Sequence, residues 1–234
     1  MNLRAIMLSL LVMATLSSLA RAQSLADSAE SSSTVAVTPV EHRNLTYFRP
    51  TTSMKLHSYL FETFGPYPIV GSAVVAGINQ VDNTPPEWKL GFAGYSKRWG
   101  SDFAIAGVTT TTRFALARAF REDTLYYRCE CKGTLPRLNH AVISTLTGRH
   151  GDDGHRVFSF PALIAPYAGT MTAVYGWYPG RYNAKDGFRM GNYSLLAYAA
   201  GNVALEFLHR GPHSLLSRMH LNNSRAAPDQ GPRP

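Results

Sequence analysis

Five groups of residues have the types and spacing to do chemistry. The first is His209, His213, Arg218 and His220, in HRGPHSLLSRMH. Histidine supplies a nucleophile or a proton carrier near neutral pH, and arginine holds a phosphate. The second is the pair Lys97-Arg98 before Gly100, with Arg118, Arg121, Arg128 and Arg137 further along, cations able to converge on phosphate or carboxylate. The third is Cys129-Glu130-Cys131, which holds the only two cysteines. Sulfurs that close on the chain form a strained, redox-active bridge, stay as thiols, or give half of a soft-metal site. The fourth is His150-Gly-Asp-Asp-Gly-His155, whose donors suit a divalent ion but whose glycines equally make a water-exposed turn. We assign no metal and no cofactor. The fifth is a charge pair. Arg113 and Glu206 each lie in an apolar run, where a charge must be matched, so they are expected to pair with each other. His140, beside Ala141 and Val142, reads as a core histidine.

Two resemblances rest on these residues. Gly-Pro-His-Ser and Ser-Arg-Met-His (Gly211–Ser214 and Ser217–His220) resemble the histidine-arginine signatures of type-2 phosphatidic-acid phosphatases. The resemblance implies His209 and His213 as nucleophile and acid and Arg218 as phosphate holder. The arginine-to-histidine spacing departs from the family's, and its lysine-arginine-proline block is absent upstream. Second, Gly94-Tyr-x-Lys-Arg-aromatic-Gly100, followed by Glu122-Asp-x-x-Tyr-Tyr-Arg128, is similar to a block in uncharacterised exported bacterial proteins. That group implies export but no activity and no site residues. The chain shows no nucleophile elbow, phosphate-binding glycine loop, zinc-protease histidine pair or dinucleotide fingerprint.

These side chains need elements to position them. Arg4, the apolar run Ala5–Ala20 and the small-x-small Ala20-Arg21-Ala22 read as a signal peptide over residues 1–22, with export to the periplasm or cell envelope. Residues 23–40 and 222–234, rich in serine, alanine and proline, read as a disordered tether and tail. Between them, residues 41–221 are expected to form one mainly α domain, a bundle of about five or six helices. The expected helices are Thr51–Phe64, Pro66–Gln80, a central run capped by Asp102, Leu135–Thr147, and two within Phe158–Gly180 and Met190–Leu205. Gly148–Gly154 is expected to be a loop. Leu56, Tyr59, Leu60 and Thr63 share one face of the first helix, and Leu138, Val142 and Leu146 recur at i, i+4, i+8 in the fourth. Ser72/Ala76, Ala73/Gly77, Ala165/Gly169 and Ala197/Gly201 are small pairs that let another backbone come close. The consecutive threonines Thr109–Thr112 favour strand and oppose the helical pattern around them.

The formal charge is +8, of which the leader carries two through Arg4 and Arg21. No basic run is dense enough for a nucleic-acid arm, so the expected partner is a membrane or an anionic envelope component. The uncharged stretch Phe158–Gly180 is long enough to span a bilayer but is broken by Pro161 and Pro166. The alternating strands of an outer-membrane barrel are few. The leading expectation is a non-enzymatic structural or interaction role at or near a membrane. The alternative is a hydrolase of phosphorylated envelope substrates, and a third is redox or metal sensing at Cys129 and Cys131. The sequence sets no oligomeric state.

Overall fold

The computed structural model describes residues 49–129, 131–151 and 153–208. The leader, the tether, the tail and the group His209, His213, Arg218 and His220 lie outside them.

The described residues form six α-helices and one small sheet. Helix α1 (Thr52–Phe64) starts where the Thr51 hydroxyl accepts from the Met54 amide, and Gly65 ends it. Pro66 then opens α2 (Pro66–Val81), a position where its missing N–H costs nothing. A 3₁₀ turn, Pro86–Trp88, follows the cis Thr84–Pro85 bond and leads into α3 (Phe92–Ala119). After the two-residue strand β1 (Glu122–Asp123) come α4 (Thr134–Ile143), β2 (Thr147–His150), β3 (His155–Phe158), α5 (Phe160–Gly176) and α6 (Ala184–Leu208).

Helix α3 starts ten residues before the expected cap at Asp102. Gly91, at φ 91°, makes the entry turn, and Gly94 lets the chain fold back on the helix. A Cβ at Gly94 would stand 2.7 Å from the Trp88 carbonyl oxygen. The threonines stay helical despite their strand preference, because Thr109 and Thr110 are buried against neighbouring helices and packing overrides intrinsic propensity. Helix α3 is the hub and packs against α1, α2 and α5, while α6 packs against α4 and α5. At the α3–α5 crossing the backbones nearly touch. A Cβ at Gly169 would lie 2.8 Å from the Ile105 carbonyl oxygen and would overlap the Thr109 hydroxyl.

The segment expected as a loop, Gly148–Gly154, belongs to a hairpin instead. The antiparallel sheet runs β1-β2-β3, with Glu122 opposite His150 and Thr147 opposite Phe158. Gly151 (φ 70°) and Gly154 (φ 66°) supply the left-handed turn residues. The strands are too short to show a period-2 pattern in the sequence.

Ile105, Leu125, Tyr126, Val174 and Leu205 are buried, but most of the interior is small or polar: Ala76, Ala117, Ala141, Ala162, Ala165 and Ala173, with Ser72, Ser101, Thr109, Thr110 and Thr170. Many large aliphatics face outward. On α2, Ile69, Val70, Val74, Val75, Ile78 and Val81 are all exposed, Val81 at 80 %. The same helix turns Ser72, Asn79 and Gln80 toward the protein, where Asn79 bonds Asp102 and Gln80 accepts from Arg98. The apolar stripe of α4 faces outward in the same sense. Leu138 and Val142 are exposed, and Ala141 and Thr145 are the buried residues. On α1, Leu56 and Leu60 face out while Thr63 is buried.

Candidate functional site

Two fully buried charges, Arg98 on α3 and Glu206 on α6, organise the polar groups around them. Arg98, 1 % exposed, is near the start of its helix. Its Nε donates to the Thr84 carbonyl (2.8 Å), one terminal nitrogen to Gln80 Oε1 (2.6 Å) and the Lys89 carbonyl (2.7 Å), and the other to the Pro85 carbonyl (2.8 Å) and Asn83 Oδ1 (3.3 Å). These acceptors saturate the five N–H groups of a guanidinium. The expectation that Lys97 and Arg98 form an anion site is therefore corrected. Arg98 is a staple that ties the α2–α3 connection to α3, while the neighbouring Lys97 is exposed. Beside this staple, burial pushes the Asp102 carboxyl up to about 7, against the lowering influence of the Asn79 amide and the Arg98 charge.

The second interior charge is Glu206, with no exposed surface, near the end of α6. The expected Arg113–Glu206 pair is not formed. Glu206 takes Arg137 of α4 instead, with Nε at 2.9 Å from Oε1 and a second guanidinium nitrogen on the Glu206 carbonyl. Its other carboxylate oxygen accepts from the Tyr126 hydroxyl (2.8 Å) and the Cys129 amide (3.2 Å). The Arg137 guanidinium also lies over the Phe207 ring. Helix α4, which packs on α6, brings Arg137 to Glu206, and Arg113 stands elsewhere on α3. Burial, then the hydrogen bond and charge of Glu206, raise the Tyr126 phenol and keep it neutral.

Arg113 sits over the Tyr198 ring, 5.6 Å from its centroid, and its buried Nε has no hydrogen-bond partner among the described residues. It lines a cleft of about 30 Å³ formed by the Asp123–Tyr127 segment, the hairpin and α6. Arg149 and Arg156 of the hairpin line the same cleft, and Asp123 is its one carboxylate. Asp123 accepts from the Leu125 amide and the Tyr127 hydroxyl. Arg156 bonds His140 Nε2 and the Ser144 hydroxyl. Burial and the Arg149 charge depress the Arg156 guanidinium, and burial followed by the Arg156 charge lowers His140, so the imidazole stays neutral and accepts. Glu122, next to Asp123, takes the Ser159 hydroxyl that also caps α5.

The remaining candidates do not join this cleft. The Cys129 and Cys131 sulfurs are joined as a disulfide, just beyond Arg128. His150 and His155 stack edge to face, 5.4 Å between centroids, and His155 pairs with Asp153 at 2.8 Å. Among the described residues no group of three His, Cys, Asp or Glu side chains could hold a metal ion. Sequence reasoning grouped Arg137 with cations able to converge on phosphate or carboxylate and passed over Arg149 and Arg156. The available signal was the palindrome Arg-His-Gly-Asp-Asp-Gly-His-Arg over Arg149–Arg156, which folds on itself so that Arg149 faces Arg156 and His150 faces His155.

Compared with known proteins, the chain matches no family model, no curated protein and no solved structure. Residue roles therefore rest on geometry and chemistry.

Proposed function

We propose that the protein is an exported, non-enzymatic cell-envelope protein that seats in lipid through an apolar exterior. The observation that carries this reading is α2, whose large aliphatics face out and whose polar side chains face in. In water that arrangement is unfavourable by roughly 25 cal/mol for each Å² of apolar surface left exposed. Against hydrocarbon it costs nothing, and the favourable contacts are then small-residue packing and internal hydrogen bonds. A second copy of the chain would cover one patch. The outward apolar side chains come from all six helices, for example Leu60, Val74, Phe92, Leu138, Ile164 and Leu196, and lipid covers several sides at once. The net positive charge suits an anionic headgroup layer. No helix among the described residues is long and apolar enough to cross a membrane, and the proposal does not require one to.

The hydrolase reading gains no support. Arg98, which it needed beside His209, His213 and Arg218, has its donors occupied, and those three residues lie outside the described ones.

Vesicle flotation tests the proposal. Full-length mature protein is expected to float with phosphatidylethanolamine/phosphatidylglycerol vesicles. The triple variant Val70→Ser/Val74→Ser/Ile78→Ser is expected to partition at least about tenfold less, with its melting temperature kept. Wild-type protein that stays in the aqueous fraction, or a triple variant that floats equally well, refutes the reading.

A further inference from the structure

We infer that the cleft between the hairpin and α3 binds a single phosphate group, held by Arg113, Arg149 and Arg156. Four observations carry the inference, and none depends on the lipid-seating proposal.

The first is charge. Three guanidiniums line the cleft against one carboxylate, Asp123, which already accepts from the Leu125 amide and the Tyr127 hydroxyl. The second is register. Arg149 and Arg156 are directly opposed on neighbouring strands and so share one face of the sheet. Asp123 stands opposite Arg149 on its other side, so one carboxylate faces two guanidiniums and this face of the sheet keeps a net positive charge. The third is Arg113. Its Nε is buried inside the bundle and has no hydrogen-bond partner among the described residues, although the residue borders the cleft. A buried guanidinium donor is costly until an acceptor reaches it. The fourth is size. About 30 Å³ holds two or three waters, a space suited to a small anion. Ser144 adds a hydroxyl donor at the wall. Three guanidiniums around one small space match an anion with three or four oxygens better than a two-oxygen carboxylate.

The phosphate comes either free or on a lipid headgroup, and the same titration separates the two. Isothermal titration of full-length protein in detergent is run with inorganic phosphate, with dihexanoyl phosphatidic acid and with acetate. Inorganic phosphate is expected to bind with a dissociation constant of about 1 mM or tighter. Arg156→Gln, at an exposed position, and Arg113→Gln are each expected to weaken it at least about tenfold, while Arg181→Gln, paired with Glu87 away from the cleft, leaves it unchanged. Arg156→Gln keeps the test valid if Arg113→Gln fails to fold. Tighter binding of dihexanoyl phosphatidic acid assigns the headgroup, and tighter binding of inorganic phosphate assigns the free ion; either supports the site. No binding of either phosphate, equal binding by the arginine variants, or acetate matching phosphate overturns it.

Discussion

At the scale of single residues, fully buried Glu206 sets the strictest condition. Its carboxylate is matched by Arg137, Tyr126 and the Cys129 amide, and removing one partner of such a pair costs about 3–5 kcal/mol. In denaturant unfolding, Glu206→Leu and Arg137→Leu are each expected to destabilise by that order. The double variant is expected to be more stable than the sum of the two losses by at least about 1 kcal/mol. Arg113→Leu combined with Glu206→Leu is expected to be additive, since these two do not pair. Additivity for Arg137 with Glu206 would contradict the assignment. That Glu206 needed a partner was legible in the sequence, because a carboxylate sat in an apolar run. Which arginine it took was not. Arg113 and Arg137 both lie on helices, and linear spacing carries no information on how α3, α4 and α6 are placed around one another. Arg98 teaches the converse. Its acceptors lie 9 to 18 positions away, and three of the five are backbone carbonyls, which no side-chain pattern in the sequence announces.

At the scale of elements, helix positions were legible from apolar runs and from punctuation such as Gly65-Pro66. The helix start at Phe92 and the β2–β3 hairpin were not, since glycines inside α3 and four-residue strands give weak local signals. The apolar stripes of α1 and α4 were legible, but not the side they face. The junction of α2 and α3 yields a pH prediction. Asp102 titrates near 7 in the folded protein, while an aspartate in the unfolded chain titrates near 4. Between those values the folded state binds a proton that the unfolded state does not. Stability therefore falls as pH rises through that window, and the loss is complete above 7. Asp102→Asn, which keeps a hydrogen-bond acceptor for Asn79, is expected to stabilise at pH 8 by up to about 4 kcal/mol and to change little at pH 4. Thermal unfolding at the two pH values checks this. A variant less stable at pH 8 would refute it.

At the scale of the whole molecule, the interior is mostly small and polar residues, with Ile105, Leu125, Val174 and Leu205 among them, and many large aliphatics lie on the exterior. The small pairs Ser72/Ala76 and Ala165/Gly169 were visible in the sequence and are buried. Their complement, the outward aliphatics, was invisible, because a hydrophobic stripe does not state which solvent it faces. The phosphate cleft follows the same logic. Its guanidiniums come from α3 and from two strands, so no contiguous motif contains them. Both proposals rest on the exterior and interior being assigned correctly, and the exterior is the more exposed to direct test. Spin labels placed singly at Leu60, Val74, Leu138 and Leu196, on four different helices, can be read in reconstituted vesicles for collision with oxygen and with a water-soluble nickel chelate. The account predicts that all four collide with oxygen and are shielded from nickel, while a label at the exposed, charged Lys185 does the reverse. Labels at Val74 and Leu196 that are as open to nickel as the one at Lys185 would contradict it.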